Sequence, residues 1–231
     1  MRKLLFAALV AGCLGFTVVA EDEPKARERF DTVVREDLFA GFGGDADALT
    51  RGVKNCEDAL AKDPKNAEAL VWRGAARVFT AGQKFGAGKP AEAFPIWTAG
   101  LKDMDDAVKL EPKNIGVRIP RAAVLLPAAR NSPPAMGKPL LKTALEDFEL
   151  IAKMQNRDKQ TLSTHQRGEL AMGLADVYRL LGEQAKSKEQ LEAVVKDLPD
   201  SKYAKRAKEW LEAKPEAKLA HNCIGCHVPK K

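Results

Sequence analysis

The chain has 231 residues, with 38 Lys and Arg against 32 Asp and Glu. A hydrophobic content of 45% excludes general disorder, and the formal charge of +6, which falls to +4 without residues 1–20, is too mild and scattered to argue for a nucleic-acid partner. Sparse aromatics (6%) with plentiful Ala, Leu, Lys and Glu favour helix over sheet.

Residues 1–20 read as an export signal. Arg2 and Lys3 precede an apolar run from Leu4 to Ala20, and Val18-Val19-Ala20 suits cleavage before Glu21. Removing this segment leaves 36 basic against 32 acidic residues, a net of +4. A second reading places a lipid anchor on Cys13, because Val10-Ala11-Gly12-Cys13 is similar to a bacterial lipobox. Leu14 to Ala20 stays apolar where a polar tether would follow such a cysteine, so cleavage at Ala20 is the preferred reading. Both readings export the protein to the periplasm or cell surface. No later stretch is long and apolar enough to span a bilayer, although an uncleaved leader is near the minimum length for an anchor.

Residues 21–213 carry the helical signal. Lys25–Ala40 is expected as an opening helix. Cys56, beside Ala59 and Leu60 on one helix face, reads as a small buried apolar residue. Asp63-Pro64-Lys65-Asn66, Glu111-Pro112-Lys113-Asn114 and Asp197–Ser201 share one punctuation. In each, an acidic residue and Pro end a helix, and Asn or Ser caps the next by accepting from its free N–H groups. Between these marks the apolar period is helical: Phe94, Trp97, Leu101, Met104 and Val108 fall on one face, as do Leu141, Leu145, Phe148 and Ala152, and Leu170, Leu174, Val177 and Leu181. Gly74, Ala75 and Gly173 mark places for close helix approach. Asp103, Asp105 and Asp106 read as a solvated face.

These residues resemble the tetratricopeptide-repeat family, whose unit is a 34-residue helix pair. Ala59, Leu60, Asp63 and Pro64 carry the family's turn, Gly74 its small position, and Ala107, Val108 and Pro112 repeat the turn. Tyr178, Gly182, Leu191, Val194 and Pro199 hold the family's spacing in the last unit. The resemblance spans roughly residues 45–213 and implies an all-α, helical-hairpin repeat solenoid that binds protein partners. It is irregular: Pro64 to Pro112 is 48 residues and Pro112 to Pro199 is 87. The surplus is expected in two loops, Gln83–Glu92 and Asn131–Pro139, and Pro120 and Pro127 are expected to kink or shorten a helix. About four units follow, closed by a capping helix over Lys202–Ala213. Both expected loops contain Gly-Lys-Pro (88–90 and 137–139), without the Ser or Thr and upstream strand of a phosphate loop; they read as flexible loop plus helix start, the alternative being one partner-binding edge.

Residues 214–231 form a short tail in which Cys223-Ile224-Gly225-Cys226-His227 has the spacing of a c-type haem attachment site. Two thiols three apart each form a thioether to a haem vinyl, and the adjacent imidazole reaches the iron. The motif resembles that of c-type cytochromes, which implies haem c on Cys223 and Cys226, His227 as axial ligand, and attachment outside the cytoplasm. Class II cytochromes c, which are all-α, also place it near the C-terminus, but Pro215 breaks the final helix of that comparison. Candidate sixth ligands are Met172, Met154 and His165; the site is alternatively open, which would suit small gases or peroxide. Two other chemistries fit the tail: a zinc site using His221, Cys223, Cys226 and His227, or a disulfide or redox pair. No nucleophile constellation appears elsewhere, and with three histidines, two of them in the tail, acid–base catalysis has few players. The sequence therefore reads as an exported binding or electron-transfer protein with protein partners, among them redox proteins, rather than as an enzyme.

Overall fold

The computed structural model describes residues 29–155 and 162–213. Within them the chain forms nine helices and no strand: α1 (Asp31–Phe42), α2 (Ala46–Lys62), α3 (Ala67–Gly86), α4 (Pro90–Leu110), α5 (Ile115–Arg130), α6 (Pro134–Gln155), α7 (Thr164–Leu180), α8 (Gln184–Asp197) and α9 (Lys202–Glu212). The leader at 1–20 and the tail at 214–231 lie outside the described residues.

The punctuation works as the side chains dictate. α2 ends before Asp63-Pro64 and α3 starts after Asn66, whose side chain accepts from Ala69 N–H. Asn114 accepts from Gly116 N–H at the start of α5, and Ser201 from Ala204 N–H at the start of α9. Each cap satisfies a donor that the first helical turn leaves without an internal partner. Ser163 and Gln166 form a reciprocal capping box at the head of α7.

The helices pack most closely as α1 with α2, α3 with α4, α5 with α6, and α7 with α8, while α9 lies against α8 and α7. Three-residue turns join the members of each pair. In three of these turns the middle residue is a glycine with positive φ: Gly44 at 110°, Gly88 at 72° and Gly182 at 85°. Beyond each glycine the chain turns back, so that Asp45, Lys89 and Glu183 donate N–H to the carbonyls of Ala40, Lys84 and Tyr178 at 2.8–3.0 Å. Only a residue without Cβ takes this left-handed conformation cheaply, which is why the same small residue recurs. The first helices of successive pairs also touch, α1 on α3, α3 on α5, and α5 on α7.

The surplus residues are helix, not loop. α3 runs on through Gly86 and α4 begins at Pro90, giving helices of 20 and 21 residues; α6, of 22 residues, begins at Pro134. Pro90 and Pro134 open their helices, where the missing N–H costs nothing. The two Gly-Lys-Pro runs are not equivalent, since 88–90 spans a turn and 137–139 lies inside α6 with Gly137 against the Ala129 carbonyl. They do not form a pair of loops. α5 likewise continues through both Pro120 and Pro127, although at 16 residues it is shorter than α3.

Close approach is real at the expected glycines. A Cβ on Gly74 would stand 2.7 Å from the Gly100 carbonyl of α4, and one on Gly173 would stand 2.7 Å from the Phe148 ring of α6. Phe94 departs from expectation: it is 49% exposed at the outer end of α4, edge-on to Phe85 at 5.0 Å, while Trp97 and Met104 enter the core.

Asp103 is also corrected. It is buried, not solvated, and accepts two bonds from Arg73 and one from Arg77, at 2.7–2.8 Å. The neighbouring pair repeats this. Asp147, with no exposed surface, accepts from Arg121 at 2.7 and 2.8 Å and from Arg118 at 2.5 Å. Asp176, equally buried, receives Arg130 of α5 and Arg179 of its own helix. Burial opposes the Arg121 charge, but the Asp147 and Asp105 carboxylates hold its pKa above the ordinary guanidinium value. Asp105 itself is 57% exposed, and Asp106 pairs with Lys102 and Lys109 at the surface.

Replacing Asp147 with Ala strands two guanidinium groups inside the fold and is expected to cost about 3–5 kcal/mol in urea unfolding. Asp105→Ala removes a mostly solvated partner and is expected to cost under about 1 kcal/mol. Equal, small losses from both would show that the buried pairs do not hold the helices together.

Candidate functional site

Cys223, Cys226, His227 and His221 all lie outside the described residues. Among the described residues, no three His, Cys, Asp or Glu side chains gather so as to hold a metal ion, and no helix is long and apolar enough to cross a membrane. The three candidate sixth ligands are described, and the fold gives them different surroundings.

Met172 is fully buried, in a cluster with Leu191, Val194, Tyr203 and Trp210 where α7, α8 and α9 meet. Its thioether fills core volume. Met154 is half-buried in the last turn of α6. His165 stands in the first turn of α7, its side chain 45% exposed. Its Nδ1 lies 2.7 Å from the Tyr203 hydroxyl of α9, and that hydroxyl donates to Glu169 Oε1 at 2.8 Å. Tyr203 is itself buried, pressed so closely on α7 that a Cβ on Gly168 would fall 2.3 Å from its ring. The Lys202 ammonium lies 5.1 Å from the centre of the same ring.

The spacing of these groups follows from helix geometry. His165 and Glu169 are four apart on α7 and share one face, Gly168 on the same side leaves room for the phenol, and Ser201 caps α9 so that Tyr203 enters from its first turn. Tyr203 and Glu169 were not legible from sequence, because 38 residues separate the histidine from its tyrosine. The one local signal is an aromatic two residues after the Asp197–Ser201 punctuation.

An apolar cleft of about 490 Å3 opens on the other side of α7, lined by Leu170, Leu174, Val194 and Leu198 with Arg167 and Lys153 at its edges. Arg167 reaches toward Asp197 at 3.8 Å.

Cys56 is fully buried, and burial pushes its thiol up to about 12. It therefore carries almost no thiolate at neutral pH and is chemically quiet. Burial, followed by a 2.8 Å hydrogen bond to Glu149, also pushes the Tyr178 phenol up to about 12.

No family model, no curated protein and no solved structure matches this chain.

Both raised groups favour the neutral form in the folded state. Their contribution is fully present below the ordinary thiol and phenol values, 9.0 and 10.0, and is lost as pH rises from there towards about 12. Urea unfolding measured across pH 8–12 is expected to show stability falling over that window, with a shallower fall in C56A/Y178F. An identical pH profile in the double variant would contradict the assignment.

Proposed function

We propose that this chain is an exported, tetratricopeptide-like protein-interaction scaffold that carries one haem c on its tail, for electron transfer within a periplasmic or surface assembly. The observation that carries the reading is the donor set Cys223, Cys226 and His227 at thioether-plus-imidazole spacing behind an export leader. That set fits haem c: two thiols for the two vinyl groups and a neighbouring imidazole for the iron. A zinc tetrahedron fits less well, because Cys226 and His227 are adjacent in the chain. Haem c bound there would supply a one-electron redox centre.

The scaffold part of the reading is supported by the pairing of consecutive helices, the contacts between successive first helices, and the recurring three-residue turns. Stacked pairs of this kind hide their apolar stripes only against neighbours, and α9, with Tyr203, Ala207 and Trp210 buried on one side, fits the closing helix that such an array needs. The partner is a protein, a redox protein among the candidates, because helix arrays present extended surfaces rather than enclosed substrate sites. The tail residues take separate tasks: Cys223 and Cys226 fix the group covalently, so it cannot dissociate, and His227 orients it by ligation. Rigid support would come from the last helices.

Full-length protein made in a host with c-type haem maturation is expected to give a pyridine haemochrome spectrum of the two-thioether type. C223A/C226A should be colourless yet retain the wild-type far-UV circular dichroism. A wild-type product that is colourless and holds zinc, or that holds a disulfide between Cys223 and Cys226, would overturn the redox reading and leave a helical adaptor with a stapled tail.

A further inference from the structure

We propose that the cleft between α6, α7 and α8 binds a free long-chain carboxylate, a fatty-acid-like amphiphile with its apolar chain inside and its headgroup between Lys153 and Arg167; this is independent of the haem. Helix periodicity builds the site. Arg167, Leu170 and Leu174 fall three and four apart on one face of α7, and Gln190, Val194 and Asp197 fall four and three apart on α8. Where these faces meet the end of α6, Ala152, Ala171 and Ala193 line the space, one from each helix, and their short side chains leave it unfilled. The walls draw on both apolar clusters of the fold, Leu174 from the main core and Val194 and Leu198 from the one around Met172. The volume is about 490 Å3, within the range of small-molecule sites. At roughly 30 Å3 for a water-sized group, it has room for about 16 non-hydrogen atoms.

The charge at the mouth selects the headgroup. The lining carries two cations, Lys153 and Arg167, against one acid, Asp197. Lys153 is exposed and forms no ion pair among the described residues. Asp197 holds Arg167 only loosely, with Nη2 of the guanidinium 3.5 Å from its carbonyl oxygen and 3.8 Å from its carboxylate. Both contacts are longer than a strong charge-assisted bond, so the guanidinium keeps donors for a second carboxylate. Gln155, at the end of α6, adds a polar group. It lines the cleft, and its buried Oε1 has no hydrogen-bond partner, a state that costs free energy until a polar group arrives. A half-turn of the amide exchanges Oε1 for Nε2, whose N–H donates to the same carboxylate. An apolar chain ending in a carboxylate therefore meets leucine walls, paired cations and amide together. An alkylammonium would set like charge against Lys153 and Arg167, and a sugar would leave the leucine walls uncovered.

The test is isothermal titration of full-length protein with decanoate and dodecanoate below their micellar concentrations, with decanol and decyltrimethylammonium as neutral and cationic controls. Wild type is expected to take up one decanoate per chain and to bind dodecanoate about tenfold more tightly, since two further methylenes leave water. Decanol and decyltrimethylammonium should bind at least tenfold more weakly than decanoate. K153Q/R167Q, altered only at the mouth, should bind decanoate at least tenfold more weakly yet bind decanol as wild type does. A193W should fill the cleft and abolish uptake of every chain while keeping the wild-type far-UV circular dichroism. Absence of saturable uptake by wild type, the result expected where a segment of the chain itself or a protein partner fills the cleft, overturns the proposal. So does decanoate affinity that K153Q/R167Q leaves unchanged, whether or not A193W folds. Equal affinity for decanoate and decyltrimethylammonium overturns the assignment of a carboxylate headgroup.

Discussion

Three buried carboxylates tie these helices together. Asp103, Asp147 and Asp176 sit between helices, and each is surrounded by two guanidinium groups. A charge in that position is tolerable only when it is paired and its lone pairs are filled, and bidentate arginine meets both conditions with a fixed geometry. Such pairs add little net stability over apolar packing of equal volume, but a shifted helix would leave a carboxylate without its fork. Their consequence is register. Arg73 can meet Asp103 only when Gly74 and Gly100 lie back to back, and Arg121 can meet both Asp105 of the preceding helix and Asp147 of the following one only at one rotation of α5. Glu68 extends the same logic to the first pair, accepting from Phe30 N–H at 2.7 Å and from the Asn114 cap at 3.3 Å.

This constraint passes through to α9. Arg179 shares Asp176 with Arg130 of α5, and its guanidinium lies 5.7 Å from the centre of the Trp210 ring of α9. α9 is thus tied to the charged interior and not only to its apolar neighbours. Tyr203, two residues into α9, inherits its position from that docking, and the orientation of His165 depends in turn on Tyr203. The seating of α9 and the placement of the His165 imidazole are two results of one packing solution.

Helix boundaries were legible because their signals are local: Asn66, Asn114 and Ser201 act on N–H groups two or three residues away. The pairing of helices was legible from the recurrence of those signals. The expected loops at 83–92 and 131–139 failed because Gly and Pro were weighed as breakers without regard to position; Pro90 and Pro134 open helices, and only Gly88 turns the chain. Asp103 was misread because its partners lie 26 and 30 residues upstream, beyond any helical window. A signal was present nonetheless. Arg73 and Arg121 each fall seven residues after an Asn cap, and Asp103 and Asp147 each fall thirteen after an opening Pro. A repeated charge at a repeated register marks a buried partner better than three acids in a row mark a wet face. His165 could be named from sequence, but the Tyr203 phenol and Glu169 carboxylate beside it are supplied by the fold.

The account as a whole turns on what the sulfurs of Cys223 and Cys226 are bonded to. Proteolysis of the matured, exported protein followed by mass spectrometry of the peptide containing both residues answers this directly. The account predicts that this peptide carries one covalent haem, with neither cysteine open to alkylation. A peptide of unmodified mass that takes up two alkyl groups, before or after reduction, would contradict it.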